Sequence, residues 1–217
     1  MEVSRERLQR LQSRIKLSVT APRWDGIDGW LTPNEAFALY RYARYARRLH
    51  PDAVALEIGS WKGKSTYCIA RGLRGGRLIC IDPFDASAAG DEYGARVYAE
   101  HKGETPLRDQ FERAMTEFGV RDYLDVRQGT SEQFVGTIGP LDLLFIDGDH
   151  SLDACTFDYT AYAPLLRPGG LLLFHDYYPA LRDSGPRILI EETIVPSGAF
   201  HPVEQVDSLW VAVKPGA

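Results

Sequence analysis

The feature of the sequence that most constrains the fold is a series of short apolar runs that alternate with helical segments. Three of the runs, AVALEIG (53–59), RLICID (77–82) and LDLLFID (141–147), are rich in Ile, Leu and Val without regular alternation of polar residues. Such runs are typical of strands that are buried on both faces of a sheet. YLDVRQ (123–128) and GLLLFHD (170–176) are also predicted to be strands. The βαβα order predicts a parallel, doubly wound sheet with right-handed crossovers.

The C-terminal sequence departs from this order, because two apolar runs follow each other with only a turn between them. AFHPVEQV (199–206) and LWVAVKP (209–215) are joined by Asp207-Ser208, a pair typical of a hairpin turn. The hairpin is expected to place an antiparallel strand at the edge of the sheet. The complete prediction is an α/β/α sandwich whose mostly parallel, seven-stranded sheet is Rossmann-like and ends in an antiparallel hairpin.

The length of 217 residues corresponds to one domain, since domains contain about 100–200 residues. We predict that residues 1–31 form an N-terminal helical extension and a connecting loop, and that residues 32–217 form the main domain. The boundary lies at Thr32-Pro33-Asn34-Glu35. Thr as N-cap, Pro at the first helical position and Glu at the third signal the start of a helix.

The N-terminal segment has the pattern of an amphipathic helix. Leu8, Leu11 and Ile15 recur at helical spacing among arginines. We expect this helix to pack on the body of the protein or on a second subunit, so a homodimer is one possible assembly. A helix that lies on a membrane surface or directs the chain to an organelle is the alternative, although Glu2 and Glu6 dilute the positive charge that such helices carry.

Composition excludes several classes of protein. The 25 Lys and Arg residues are outnumbered by 30 Asp and Glu residues, and a net charge of −5 argues against nucleic acid as the main partner. The three cysteines, at positions 68, 80 and 155, form no C-x-x-C pair, which argues against a disulfide framework or a thiolate zinc site and fits a reducing cytoplasm. No apolar run reaches the ~20 residues that cross a bilayer, so we expect no membrane partner.

The loop after the first strand, residues 57–66, indicates the class of ligand, because open α/β sheets bind ligands at the carboxyl ends of their strands. A phosphate-binding loop has a glycine five residues before its G-K-[ST] glycine, but Gly59 stands only four residues before Gly63. A dinucleotide loop has a glycine where this chain has Trp61. The glycine spacing argues against ATP as the ligand, and Trp61 argues against NAD and FAD.

Carboxylates at the strand ends favour a third class of ligand. Glu57, Asp82 and Asp147 close three of the predicted strands. S-adenosylmethionine carries an ammonium group, a sulfonium and a ribose diol, all of which carboxylates can bind. The three acids in register with a glycine turn therefore favour S-adenosylmethionine as cofactor.

Four motifs carry a resemblance to a known family. They are L-E-I-G-S-W-K-G-K-S-T, I-C-I-D-P-F, L-L-F-I-D-G-D-H-S and P-G-G-L-L-L-F-H-D-Y. In these motifs the chain resembles the class I S-adenosylmethionine-dependent methyltransferases, and most of all the small bacterial branch of macrocin and other sugar O-methyltransferases. The resemblance runs from about Gly29 to the final hairpin. Trp61 is a departure, because the broader superfamily has a glycine in its place.

The resemblance also implies a cofactor site. The methionine part would be held by the loop after the first strand, the ribose by the acid that ends the second strand, and the adenine by the loop after the third. The residues so assigned are Glu57, Gly59, Ser60, Trp61, Gly63, Asp82, Gly129, Thr130 and Ser131. Ser65, Asp147 and His150 complete the predicted cofactor site.

His150 is the preferred general base, supported by Asp147 and Asp176 as the other predicted catalytic residues. An imidazole with an ordinary pKa of about 6.5 suits removal of a proton from a sugar or natural-product hydroxyl. A cofactor contact or a helix-capping role for His150 is the alternative. Methylation at nitrogen or carbon, or binding of the cofactor without catalysis, is equally compatible with the cofactor residues.

Asp147 and Asp176 are also candidate ligands for a Mg²⁺ ion. Adjacent parallel strands bring the two acids to one edge, where waters and the substrate oxygen would complete six ligands. The resemblance implies that metal-dependent relatives have a second acid or an Asn after the later acid. Here Tyr177 follows Asp176 and His175 precedes it, so the ligand set is short.

Residues 85–105 are long for a connection between a strand and a helix, which usually takes about 2–6 residues. Long loops over a ligand-binding face are typical of lids and substrate contacts. A surface helix with ordinary exposed aromatic side chains is the alternative interpretation of this segment. The candidates for recognition of the methyl acceptor are aromatic and basic side chains of this segment and of the loop before the first helix: Trp24, Trp30, Tyr93, Tyr98, His101 and Lys102.

Overall fold

One sheet of seven strands organises the computed structural model, which describes residues 23–86 and 92–216. The strand order is β3-β2-β1-β4-β5-β7-β6, with β1 to β5 parallel and β6 and β7 antiparallel to their neighbours. The strands are β1 (Val54–Ile58), β2 (Arg77–Asp82), β3 (Leu124–Gln128), β4 (Leu141–Ile146), β5 (Leu166–Phe174), β6 (His201–Val206) and β7 (Leu209–Val213). This topology confirms the predicted Rossmann-like sheet and its C-terminal hairpin.

Helices cover both faces of the sheet. They are α1 (Pro33–Leu49), α2 (Lys64–Leu73), α3 (Glu92–Lys102), α4 (Leu107–Glu117), α5 (Leu152–Tyr162), α6 (Gly185–Leu189) and α7 (Val195–Ser197), with a π-helical turn (Ile190–Ile194) between the last two. Strand β1 has buried side chains on both faces. Ala55 belongs to the core that contains α1, α2 and α4, whereas Leu56 and Ile58 belong to the core that contains α5 and α6. Two hydrophobic cores, one on each face, therefore hold the sheet between the helical layers.

The start of α1 is attached to the C-terminal hairpin. Thr32 and Glu35 form the predicted capping box, in which Glu35 N–H donates to Thr32 Oγ1 at 3.2 Å and Thr32 N–H to Glu35 Oε2 at 2.9 Å. The Thr32 hydroxyl also donates to Asp207 Oδ2 in the β6–β7 turn, at 2.6 Å. The first turn of α1 is thereby held against the start of β7, which pairs with the carboxyl end of β5.

Residues 23–31 pack on the domain. Ile27 and Leu31 are buried members of the core, and Arg23 N–H donates to the Tyr67 hydroxyl at 3.1 Å. The predicted N-terminal amphipathic helix lies outside the described residues. Within the described ranges, each helix is too short or too polar to cross a bilayer.

Candidate active site

A cleft of about 670 Å³ opens at the carboxyl ends of β1, β2, β4 and β5. Its size lies within the ~300–1,000 Å³ that ligand pockets usually have. The order of the strands reverses between β1 and β4, so the cleft lies at the switch point of the sheet, where open α/β sheets bind ligands. Most of the predicted site residues line it: Gly59, Ser60, Trp61, Ser65, Asp82, Gly129, Thr130, Ser131, Asp147, His150 and Asp176.

Asp82 organises the loop after β1. Its Oδ2 accepts backbone N–H groups of Ser60 at 2.7 Å and Trp61 at 2.8 Å, and its Oδ1 accepts the N–H of Phe84 at 2.6 Å. Burial raises the pKa of Asp82, while the three hydrogen bonds act in the opposite direction. The carboxylate that sequence assigns to the ribose therefore also fixes the shape of the cofactor loop.

Gly59 brings this loop into direct contact with the end of β4. It has φ +87°, and a Cβ atom there would lie 2.0 Å from the backbone oxygen of Asp147. Only glycine fits such a close approach in a left-handed conformation. The predicted glycine turn therefore has a steric reason that spacing alone does not reveal.

Glu57 and Gly63 do not line the cleft, in contrast to their predicted contact with the methionine part of the cofactor. Glu57 is fully buried beneath the loop, where its Oε2 accepts the hydroxyls of Ser60, at 2.8 Å, and Thr66. Burial raises its pKa to about 7. Gly63 is the N-cap of α2 with φ +94°, and a Cβ there would lie 2.5 Å from Met115 Cε. Both residues support the loop from below.

His175, which ends β5 and lines the cleft, has carboxylates on both sides of its ring. Its Nδ1 lies 3.1 Å from Asp147 Oδ1 and 3.3 Å from Asp176 Oδ2. Its Nε2 lies 3.4 Å from both Glu35 Oε2 and Ser208 Oγ. Burial lowers the pKa of His175, but the charge of Asp147 and the hydrogen bonds to the three carboxylates outweigh it and raise the pKa well above the ordinary value. A buried imidazolium thus compensates the surrounding negative charge.

Glu35 is a member of this cluster that sequence reasoning missed. The hydroxyl and N–H of Ser208 donate to its Oε1 at 2.7 and 2.8 Å. Burial alone would raise the pKa of Glu35, but the bonds from His175, Ser208 and Thr32 lower it to about 2. The capping-box pattern identifies Glu35 as a helix-start residue, and no local signal indicates its contact with the end of β5.

His150 stands next to the two aspartates at the rim of the cleft. Its Nε2 lies 3.0 Å from Asp176 Oδ2 and 3.8 Å from Asp147 Oδ1, and 34% of its side chain is exposed. Burial lowers the pKa of His150, but its contact with Asp147 and the charge of Asp176 raise it above the ordinary value. The pKa of Asp176 falls to about 2, because its contacts with His175 and the charge of His150 outweigh burial.

Asp147, His175 and Asp176 form the one group within the described ranges whose ligand atoms could share a cation, since these atoms lie within 4.8 Å of one another. Mg²⁺ binds about six oxygen ligands in octahedral geometry. Here His175 Nδ1 stands at hydrogen-bonding distance from both carboxylates, and its Nε2 faces another carboxylate. The donor set of two carboxylates and one imidazole therefore differs from the oxygen ligands that the predicted Mg²⁺ ion prefers, because the His175 ring nitrogen takes the place between the two acids.

Two of the predicted acceptor-recognition residues, Trp30 and Tyr98, line the cleft together with Trp61. Trp24 instead packs against the core. The Lys102 amine reaches the backbone oxygen of Asp85, at 3.4 Å. His101 contacts the Trp30 ring, with centroids 5.5 Å apart, but does not line the cleft. The side chain of Tyr93 lies outside the described part of the structure.

Asp158 of α5 is a second acid that sequence reasoning missed. It lines the cleft, it is 3% exposed, and burial raises its pKa to about 7 in spite of a hydrogen bond with Ser131. Ser131 is one of the residues predicted to flank the adenine. The pattern of α5 gives no sign that this acid is buried, since Asp side chains are usually exposed.

Comparison with known proteins agrees with this geometry. A family model described as a methyltransferase domain matches residues 56–177. The O-methyltransferase TomG from Streptomyces achromogenes, involved in tomaymycin synthesis and solved with S-adenosylmethionine, has a TM-score of 0.62 at 18% identity, covering 98% of this chain and 99% of its own. The O-methyltransferase from Bacillus cereus, solved with S-adenosylhomocysteine, has a TM-score of 0.59 at 16% identity over 95% and 96% of the two chains. A methyltransferase from Geobacter sulfurreducens has a TM-score of 0.58 at 15% identity and 99% coverage of both.

Proposed function

Because the chain belongs to the class I S-adenosylmethionine-dependent methyltransferases, we propose that it transfers the methyl group of this cofactor to a hydroxyl oxygen of a small molecule. The observation that carries the proposal is the placement of an imidazole and carboxylate cluster beside the glycine loop, in one cleft at the switch point of the sheet. A sugar or other natural product is the acceptor class that we favour.

The cofactor is proposed to lie along the carboxyl ends of β1, β2 and β4. Gly59, Ser60 and Trp61 would hold its methionine part, and Asp82 its ribose. The adenine would lie against the loop after β3, which lines the other side of the cleft. The O-methyltransferases from Streptomyces achromogenes and Bacillus cereus, which bind S-adenosylmethionine and S-adenosylhomocysteine, support this choice of cofactor.

Methyl transfer is an in-line displacement at the methyl carbon. The acceptor oxygen forms the new C–O bond as the C–S bond breaks, and the hydroxyl proton passes to a base. Holding the acceptor and the methyl group in line supplies much of the rate, because well-oriented reactants gain up to about 7–11 kcal/mol. The rigid cleft walls would provide this alignment.

His150 is proposed to accept the hydroxyl proton. With its Nε2 facing Asp176 and Asp147, its Nδ1 lone pair is the one available to a substrate. The reaction removes the positive charge of the sulfonium and creates a positive imidazolium. Asp147 and Asp176 would stabilise both charges, so the net charge of the site stays constant during the step.

The proposal is tested by incubating the protein with S-adenosylmethionine that carries a deuterated methyl group and with a panel of sugars, phenols, amines and carbon acids. Mass spectrometry then identifies which atom carries the label. We expect a labelled oxygen. A label at nitrogen or carbon, or tight cofactor binding with no labelled product, would replace the proposal with one of the alternatives given by the sequence.

A further inference from the structure

Three aromatic side chains from separate parts of the chain meet at the cleft. Trp30 precedes α1, Trp61 belongs to the loop after β1, and Tyr98 lies on α3. Their ring centroids are 5.3 Å apart for Trp30 and Trp61, 5.1 Å for Trp30 and Tyr98, and 5.0 Å for Trp61 and Tyr98. We call these three residues the aromatic wall.

All three residues of the aromatic wall line the cleft. Burial raises the pKa of Tyr98, and the charges of Asp147, Asp176 and Asp82 raise it further. Tyr98 is thus close to the acids that end β2, β4 and β5. The proposed cofactor has its ribose at Asp82 and must present its methyl group to His150, beside Asp147 and Asp176. Its sulfonium therefore falls between them, next to the aromatic wall.

Lys62 joins the three segments that carry the aromatic wall. Its amine donates to Asp28 Oδ2 at 2.7 Å and to the backbone oxygen of His101 at 2.6 Å, and its side chain is only 12% exposed. Asp28 lies two residues before Trp30, and His101 lies three residues after Tyr98. Lys62 itself follows Trp61 directly. One partly buried ammonium group therefore links the three segments that carry the rings.

Lys64 provides a useful contrast. Its amine donates to the backbone oxygen of Gly29 at 2.9 Å, so it ties the loop before α1 to the start of α2. It has no contact with α3 in the described part of the chain. Loss of the Lys64 amine should loosen only the loop before α1, whereas loss of the Lys62 amine should loosen both this loop and α3.

We propose that the aromatic wall binds the positive charge of the cofactor's sulfonium and that Lys62 is the positioning residue that holds the wall together. The proposal rests on the proposed function, since it requires S-adenosylmethionine as the ligand. Aromatic faces attract cations through their quadrupole, most strongly where water is excluded. Lys62 Nζ itself lies 5.7 Å from the centroid of the Trp61 ring, and its salt bridge to Asp28 compensates part of this charge.

Binding of two cationic ligands and one neutral ligand tests the proposal without any knowledge of the acceptor. Isothermal titration calorimetry measures the Kd of S-adenosylmethionine, of sinefungin, which has an amine in place of the sulfonium, and of the neutral thioether S-adenosylhomocysteine. We expect Tyr98→Leu to weaken binding of the two cations about three- to thirty-fold more than binding of the thioether. Tyr98→Phe keeps the ring and should preserve the wild-type preference.

The role of Lys62 is tested by the same comparison of cationic and neutral ligands. Lys62→Met keeps the aliphatic stem and should reduce the preference for the cations in the same direction as Tyr98→Leu. Lys62→Arg should restore most of it. Lys214→Met should leave it unchanged, because the Lys214 amine also donates to two backbone oxygens, those of Pro164 and Leu166, but Lys214 does not line the cleft. Near-ultraviolet circular dichroism and thermal unfolding of each variant report whether the fold is intact.

The outcomes separate the two proposals. If the wild-type protein binds none of the three ligands, the proposed function is wrong, and with it the role of the wall. If the wild-type protein binds them and Tyr98→Leu or Lys62→Met weakens all three equally, the proposed function stands and the role of the wall in charge recognition is overturned. A selective loss of cation binding in folded variants supports the role of the aromatic wall in charge recognition.

Discussion

At the scale of single residues, His175 explains most about the candidate site. A buried imidazolium with carboxylates at both nitrogens lets three acids occupy one small volume without a cation from solution. The sequence places His175 directly before Asp176, at the end of a predicted strand. It could not identify Glu35 as the partner, because 140 residues separate the two in the chain. The contact exists only after α1 docks on the hairpin.

Glu35→Gln tests the strength of this contact. The variant keeps hydrogen-bonding atoms but loses the charge that faces His175, so we expect the free energy of unfolding at pH 7 to fall by about 1–3 kcal/mol. The pKa of Glu35 lies at about 2 in the folded protein, against an ordinary 4.5. Its contribution is therefore complete above pH 4.5 and disappears as the pH falls towards 2.

Urea unfolding of the two proteins at several pH values measures this difference. Wild type and Glu35→Gln should converge in stability as the pH is lowered from about 4.5. A difference that stays the same from pH 7 to pH 3 would mean that the charge of Glu35 contributes nothing.

His150→Gln tests the proposed base. Loss of a general base lowers kcat by about 10²–10⁴-fold, so we expect a drop of this size with little change in the Kd of S-adenosylhomocysteine. Because the pKa of His150 is raised above 6.5, the wild-type rate should rise with pH through an apparent pKa above that value. The variant should lack this rise.

Asp149→Asn is the matched control for His150→Gln. Asp149 Oδ1 accepts the N–H of Ser151 at 2.7 Å, and the carbonyl oxygen of Asn preserves this bond. The control should keep near wild-type kcat. An unchanged rate and pH profile in His150→Gln would rule out His150 as the base.

The arrangement of His175 also predicts independence from Mg²⁺. Because the His175 ring nitrogen, a poor ligand for Mg²⁺, stands between Asp147 and Asp176, we expect EDTA treatment followed by gel filtration to leave both cofactor affinity and methyl transfer unchanged. Atomic absorption measurement verifies that the treated protein is metal-free. Activity that disappears with EDTA and returns with Mg²⁺ would contradict our interpretation of this cluster.

At the scale of elements, the sequence predicts best where the signal is local. The segment KSTYCIARGL matches α2 (Lys64–Leu73), and RLICID matches β2 (Arg77–Asp82). Strand β5 begins at Leu166, four residues before its predicted start, although Pro168 and two glycines resemble a break. The Gly169 N–H donates to the Lys214 backbone oxygen and the Lys214 N–H to the Gly170 backbone oxygen, both at 2.9 Å, and these bonds continue the sheet there. Tertiary pairing of this kind overrides local propensity.

One helical segment was not predicted, and another was only the alternative interpretation of a long loop. Residues 185–197 contain α6, a π-helical turn and α7, but Pro186 and Pro196 obscure the helical pattern. Helix α3 lies inside the segment that was interpreted as a long loop. It packs its Tyr98 against the aromatic rings of two other segments, so its position depends on contacts that are distant in sequence.

Gly59→Ala tests the contact between the β1–α2 loop and β4. A methyl group 2.0 Å from the Asp147 oxygen forces the loop away from β4, so we expect a loss of stability greater than the ~1–2 kcal/mol of a left-handed alanine and a loss of S-adenosylhomocysteine binding. Gly136→Ala is the control, because Gly136 has φ +77° but no atom within 4 Å of a Cβ. Equal effects of the two substitutions on stability and binding would show that the close approach to β4 is unimportant.

At the scale of the whole molecule, part of the net charge of −5 has a defined location. Asp82, Asp147 and Asp176 line one cleft, as their positions at strand ends predicted. Glu57, which shares the same strand-end signal, lies beneath the loop instead. A strand alternates its side chains between faces, and sequence alone does not tell which face or depth a final acid takes. The sequence therefore predicts where the cleft lies, but it does not predict which acids line the cleft and which lie beneath the loop.

The most direct test of the central claim is a thermal-shift comparison of S-adenosylmethionine and S-adenosylhomocysteine with NAD and ATP, each at saturating concentration. A ligand at about 100 times its Kd adds about 2.7 kcal/mol, which corresponds to roughly 5–10 °C for a domain of this size. We predict such a rise in Tm with the first two ligands and none with NAD or ATP. A rise with NAD or ATP alone, or no rise with either sulfur ligand, would contradict the assignment of the cleft.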